Sequence, residues 1–342
     1  MWKYLARRLL LMIPTFIGIT FLCFLILRMA NADPVTADLQ AGLSGRAISQ
    51  EALEHMRHIY GLDRPWYEQY WTFLTRLVTF DFGTTWQDGR LISDIIGDAL
   101  PVTLMLTLLS FFFAYLIAIP LGVFSAVKQR SVGDQIVTVI LFMLYSLPSF
   151  WIGIMLITFF SSGRYVDCLW SETPGCFPLQ GWHSFEGFEQ MSFGEKVGDV
   201  AWHLVLPVVT LTYNSLAATS RYMRAGMLET IRQDYIRTAR AKGLSERVVI
   251  FKHALRNSVI PIITLFGLTL PFLISGSVVV EMIFGIHGMG YVTLEAIRRM
   301  DYPLVITNVA FVGMVTMFGI LLSDILYAVV DPRIRYGEEA AK

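Results

Sequence analysis

An all-α integral membrane protein with six transmembrane helices and both termini cytoplasmic is the fold class that this sequence predicts. Three observations carry the prediction. First, hydrophobic residues make up 55% of the 342-residue chain and charged residues only 16%, against roughly 25% charged in an ordinary soluble domain. Second, apolar stretches of spanning length recur along the chain. Third, the charges between them sort into two faces of opposite sign, although the net charge is zero. With 24 Phe, 15 Met and 8 Trp, the 27 basic and 27 acidic residues cannot cover the apolar surface, so a bilayer must supply the apolar solvent. The same numbers exclude a disordered chain, a secreted disulfide scaffold and a basic nucleic-acid binder.

A spanning helix needs about 20 mostly apolar residues to cross ~30 Å of hydrocarbon. Six stretches qualify: 9–29, 99–126, 135–161, 202–222, 258–281 and 304–329. The first, third and sixth are nearly free of charge. The fourth, AWHLVLPVVTLTYNSLAATSR, carries Pro207, Asn214 and several small residues, which suits a helix packed among other helices. Orientation follows from the Lys and Arg of the connecting segments. Residues 1–8, 127–134, 223–257 and 330–342, with Arg221, hold 17 Lys/Arg and 7 Asp/Glu. Residues 31–98, 162–201 and 282–303 hold 9 Lys/Arg and 18 Asp/Glu. The first group is therefore cytoplasmic. Lys3, Arg7 and Arg8, followed by an apolar run and Ala30-Asn31-Ala32, imitate a secretory signal. The run is about 19 residues, longer than the usual h-region, so the segment reads as an anchor helix.

Two divisions follow. Residues 1–98 form the first span with an external amphipathic segment, and residues 99–342 form a five-helix core with the external loop 162–201 and the cytoplasmic loop 223–257. In the external segment, Ile48–Tyr60 places Leu53, Met56 and Tyr60 on one helical stripe that stops at Gly61. Pro65 opens a second short helix rich in Trp and Tyr, the residue types that concentrate at the headgroup level. Both are expected to lie on the outer surface. His55 and His58 sit three apart beside Glu51 and Glu54, but no third ligand is anchored nearby, and a solvated helix face is the reading taken. No metal site is expected.

Loop 162–201 carries Cys168 and Cys176, separated by a stretch containing Thr173-Pro174-Gly175 that lets the chain turn back. Facing an oxidising compartment, the two form a disulfide or stay as free thiols; spacing alone leaves both open. Cys23, in the first span, reads as packing. The loop's six acids, against Arg164 and Lys196, create a negative potential that favours cationic ligands or a basic partner; a solvated loop has the same composition.

The cytoplasmic loop is RYMRAGMLETIRQDYIRTARAKGLSERVVIFKHALRNSVIPIIT. Its first part is helix-compatible up to Lys242, and Gly243 can take the left-handed position that ends a helix. Ser245 then caps a second helix from Glu246, which runs until Pro261 obstructs or bends it. An ordinary basic loop interacting with anionic membrane lipid is one reading. A rigid docking element for a soluble partner is the other, favoured by the small residues Ala239, Ala241 and Gly243 at the bend, since lipid binding needs no defined turn.

YIRTARAKGL followed by HALRN resembles the loop of the peptide-transporting permease subunits of ATP-binding cassette (ABC) importers. The likeness extends over almost the whole chain: YLARRLLLMIPTFIGITFLCFLILR with Asp33-Pro34 at the start, YGLDRPWYEQYW and FDFGTTW in the outer segment, and DPRIRYG after the last span. Their order and spacing together make the resemblance specific to the oligopeptide and dipeptide permease B family. FPLQG and WHLVLPVV, set around the long outer loop, are most similar to the Yej-type branch, which handles oligopeptides and microcin C-like antibiotics.

The resemblance implies a type I ABC importer permease fold in a bacterial inner membrane. It implies a heterodimer with a second homologous permease, two cytoplasmic ATPases or one fused ATPase that bind ATP and Mg, and an external peptide-binding protein. It also implies that Arg237, Thr238, Ala239, Ala241, Gly243, Leu244 and Leu255 form the ATPase-coupling loop. Arg237-Thr238-Ala239 stand where the general importer pattern has Glu-Ala-Ala, and Arg256 replaces its Pro. The related alternatives are import of nickel complexes or of glutathione by the same architecture.

The chain has no G-x-x-x-x-G-K-[ST], H-E-x-x-H or G-x-S-x-G motif, so neither a nucleotide site nor a catalytic site of those types belongs to it, and no cofactor is expected. An intramembrane enzyme would need clustered polar groups at membrane depth, whereas Arg28, Glu281, Asp324 and Asn214 are scattered; a channel would need a repeated selectivity ring. Asn214, Ser275 and Ser277 are the candidates for the translocation path. Glu281 either pairs with a peptide's ammonium group at an outer gate or structures the following loop, and the residues leave these two level.

Overall fold

The structure, a computed structural model, describes residues 2–29, 63–85, 88–161, 177–269 and 272–330. The expected helix over 48–60, the His55/His58 pair, both loop cysteines and the DPRIRYG segment lie outside the described residues. Among the described residues every named element is helical, with two isolated β-bridges, Thr84 to Leu91 and Ser161 to Phe177. The chain divides into two compact units, residues 1–101 with 288–318, and residues 102–287 with 319–342.

The first unit starts with α1 (Trp2–Met29) and α2 (Trp66–Val78). Pro65 precedes α2 at φ −56°, as its ring requires. Tyr70 donates its hydroxyl to the Ile17 carbonyl at 3.0 Å, and its ring meets Phe21 and Phe24 edgewise or tilted. The second amphipathic helix is thus fastened to the flank of α1, with Trp66, Tyr67 and Trp71 left exposed. The start of α3 (Ile92–Val127) packs Ile92, Ile96 and Ala99 against Met289 and Ala296 of α13 (Met289–Arg298) and Leu304 of α14 (Tyr302–Val330).

In the second unit, α4 (Val132–Ser146) and α5 (Ser149–Phe160) meet at 98°. The expected third span is one run in the sequence, but Pro148 holds Leu147 in an extended conformation, φ −88° and ψ 133°, and breaks it. Tyr213 Oη, from α6 (Phe193–Ile231), donates to the Leu147 carbonyl at 3.1 Å, so the break leaves that acceptor satisfied. Helix α6 carries a capping box, Ser192 with Glu195, and continues well past the expected end of the fourth span at residue 222.

After α6 come α7 (Asp234–Ala241), α8 (Glu246–Val248), a π-helical segment (Val249–Ala254) and α9 (Leu255–Ser258). The expected fifth span consists of shorter pieces, α10 (Ile260–Thr269), α11 (Phe272–Ser275) and α12 (Val278–Ile283). Pro261 falls in the first turn of α10, where a missing N–H is tolerated. Gly276, at φ +69°, separates α11 from α12. Among the described residues, α1, α3, α6 and α14 are long and apolar enough to cross a membrane, and the bent pair α4–α5 supplies a fifth crossing if counted as one.

Candidate functional site

Residues 223–257, the loop expected to be cytoplasmic, fold as a helical hairpin that continues from the end of α6. Its α7 ends as the residue types dictate. Gly243 takes φ +76°, its N–H bonds the Arg240 carbonyl at 2.9 Å, and the Leu244 N–H reaches back to Ala239 at 3.4 Å. This pair of bonds is a Schellman motif, which closes a helix and reverses the chain. Ser245 precedes α8 in extended conformation, as expected of a cap, but its side chain makes no capping bond; its carbonyl receives the Val249 N–H instead.

One face of the hairpin is anchored. Ile236, Ala239, Val249, Ile250 and Ala254 are buried with Met223 and Met227 of α6 and Val123 and Ala126 of α3, and Leu255 packs against the same group. The other face is open: Tyr235, Leu244, Val248 and Phe251 are exposed among Arg237, Arg240, Lys242, Arg247 and Lys252. Of the sequence-derived loop residues, Arg237, Thr238, Ala241, Gly243 and Leu244 are therefore presented outward, while Ala239 and Leu255 hold the hairpin to the core. Val248, at the end of α8, and Phe251, in the π-helical segment, are also exposed on this face; the π-helical register of Phe251 leaves no pattern in the sequence.

An ion pair staples the two limbs across the turn. Arg240 donates through Nε at 3.0 Å and Nη2 at 2.6 Å to the two carboxylate oxygens of Glu246. These hydrogen bonds hold the Glu246 carboxyl below its usual range and raise the Arg240 guanidinium above its own. Asn257 Nδ2 adds a bond to Tyr235 Oη at 2.7 Å. The hairpin is packed against the core on one face, cross-linked across its turn, and presents basic and apolar side chains together on its open face.

The path candidates separate by burial. Asn214 is exposed on α6, Ser275 and Ser277 are half-buried at the α11–α12 break, and Glu281 is fully buried. Glu281 Oε1 accepts from Thr103 Oγ1 at 3.1 Å and from the Ser277 N–H at 3.3 Å, while Thr107 Oγ1 serves the Leu273 carbonyl at 2.9 Å. Among the described residues no group of three or more His, Cys, Asp or Glu is placed to hold a metal.

Comparison with known proteins gives the following. The family described as "Binding-protein-dependent transport system inner membrane component" matches residues 118–336, and its N-terminal companion family matches residues 1–107. The chain is 39% identical over 337 residues to the oligopeptide transport system permease protein AppB of Bacillus subtilis, covering 98% of this chain and 100% of that one. It is 37% identical to the dipeptide transport system permease protein DppB of Escherichia coli K12, and 31% identical to the inner membrane ABC transporter permease protein YejB of Escherichia coli O157:H7, each covering 98% of this chain and 99% of the relative. Among solved structures, the MetNI methionine ABC transporter in an inward-facing conformation shares the fold with a TM-score of 0.50 at 18% identity, over 69% of this chain and 96% of that one.

Proposed function

We propose, from the premise that the chain belongs to the family of binding-protein-dependent transport system inner membrane components, that it is the permease subunit through which an ABC importer brings peptides into the cytoplasm. Near-full-length identity to oligopeptide and dipeptide permeases supports the substrate class. The hairpin is the observation that carries the mechanism: a rigid element, held on one face and open on the other, is what a soluble motor needs to push on.

In this reading the chain crosses the membrane six times with both termini inside. The bent pair α4–α5 counts as one crossing and the pieces α9–α12 as another, and the segregated charges set the direction. The hairpin docks an ATPase through Leu244, Val248 and Phe251, with Arg237 and Lys242 at the rim. ATP and Mg are held by two such ATPases, or by one fused chain, and an external binding protein delivers the peptide. A second, homologous permease completes the route, with Asn214, Ser275 and Ser277 along it. An intramembrane enzyme is disfavoured because Glu281 is fully buried and accepts from the Thr103 hydroxyl and the Ser277 amide, contacts that fix a helix break. The test is uptake of labelled di- and oligopeptides by cells with and without this chain, with labelled nickel and glutathione as comparisons. Loss of peptide uptake alone is expected. Loss confined to nickel or glutathione would overturn the peptide assignment.

A further inference from the structure

Near the cytoplasmic end of α6, two faces of the helix grip different partners. Met223 and Met227, four residues apart and so on one stripe, are buried against the hairpin. Arg224, about 100° round the helix from Met223, points to α4 instead. Its Nη2 donates to Asp134 Oδ2 at 2.8 Å, with the Asp134 side chain only 4% exposed.

Asp134 cannot follow Arg224 without taking its own helix along. Its Oδ2 also accepts the Arg130 N–H at 2.9 Å, where Arg130 turns the chain at φ +64°. Its own N–H bonds Ser131 Oγ, the N-cap of α4, at 3.2 Å. The carboxylate is thus built into the start of α4, where the helix dipole favours it. The far end of α4 is tied to α6 as well, by Tyr213 Oη on the Leu147 carbonyl. Helix α4 is strapped to α6 at both ends.

The clasp is also half-made. Arg224 Nε is buried, and among the described residues it meets no acceptor. A brace selected for stability alone would use the guanidinium as a two-point fork or replace the pair by apolar residues, since a buried carboxylate facing a buried donor with no acceptor is costly. The unused Nε gives the contact a second arrangement, in which both nitrogens engage the carboxylate.

We propose that Asp134 and Arg224 are positioning residues for energy coupling: a part-buried clasp, able to close from one point to a fork, that carries movement of the hairpin through α6 into the bent pair α4–α5. This rests on the reading that the hairpin receives an ATPase. The test uses the complete transporter in proteoliposomes. Asp134→Asn keeps the shape and the acceptor for Arg130 but removes the charge; Arg224→Lys keeps the charge but removes the fork. Peptide imported per ATP hydrolysed should fall about tenfold in both, the size of effect an ordinary coupling energy gives. Import and hydrolysis falling together, with their ratio unchanged, would show a structural brace only and overturn the proposal, as would an unchanged ratio at unchanged rates. Nitroxides at Val139 on α4 and Arg232 beside the hairpin give a readout that needs no substrate. Their separation should stay in one narrow distribution with and without ATP in the otherwise native chain and broaden on ATP addition in either variant. If the native complex hydrolyses ATP but imports no peptide, the functional reading fails, and these distances decide the clasp by themselves: identical distributions in all three proteins overturn it.

Discussion

Replacing Gly276 with Ala tests how the α11–α12 break is held. The residue sits at φ +69°, where an L side chain costs roughly 1–2 kcal/mol. A Cβ built there would overlap Glu281 Oε1 and come within 3.1 Å of Thr103 Cγ2. Glu281 is fully buried and engaged by Thr103 Oγ1 and the Ser277 N–H, so it cannot withdraw without leaving a buried donor unmet, at about 1–3 kcal/mol. Against this, Ala lowers the entropy of the unfolded chain, worth about 0.4–1 kcal/mol in its favour. The expected net loss is about 1–4.6 kcal/mol. Equilibrium unfolding in mixed micelles, followed by tryptophan fluorescence, measures it. In a Glu281→Ala background the carboxylate obstruction is gone, and the glycine substitution should cost only the backbone share less the same entropy term, roughly 0–1.6 kcal/mol. The same loss in both backgrounds would refute the idea that the carboxylate fills the space a side chain would need.

Three further outcomes are expected. Gly243→Val should lower peptide uptake and transport-linked ATP hydrolysis while membrane insertion stays normal, and Gly243→Asn should do so far less, because nothing lies within 4 Å of a Cβ there and only the left-handed backbone at φ +76° resists substitution; equal activity of the Val variant would remove the turn from coupling. The Glu246 carboxyl is depressed by Arg240, so its contribution to the hairpin is present above the unfolded carboxylate range and is lost as pH falls through the folded value. With side chains 40% and 54% exposed, that pair is worth no more than about 1 kcal/mol, read as faster intrinsic-rate-corrected amide exchange at 239–246 in acid, a response that Glu246→Gln should abolish. Cysteine reporters at Asn214 and Ser277 should change reactivity towards a water-soluble thiol reagent when ATP is added to the assembled complex, whereas Phe112, exposed on an apolar face of α3, should not respond; three inert positions would place the route elsewhere.

Much of this protein was written in its sequence. Continuous apolar runs of spanning length report the helices because a helix satisfies its backbone groups within one segment in hydrocarbon, and α1, α3, α6 and α14 occur where such runs lie. The hairpin turn was legible because one residue type suits a left-handed helix end: Gly243 adopts it, with the two bonds that the motif requires. Near-complete likeness in the order of short motifs pointed to the permease family to which the chain belongs.

What only the tertiary structure decided is how the runs break and what holds the breaks. Pro148 and Pro261 look alike in sequence, yet the first gives a 98° bend and the second starts a helix, because the outcome depends on where each N–H would have fallen in the local ladder. The sequence offers Glu281 no named partner within the protein, whereas the structure sets Thr103, 178 positions away, against it. Asp134 and Arg224 enter the sequence only as one acid and one base of the same face, since a charge count sums over a face and carries no sign that two residues 90 apart meet in a part-buried contact. Local propensity acts over a few residues and is readable along the chain. Pairings across helices depend on which faces pack, and that is settled only when the whole apolar surface is buried at once.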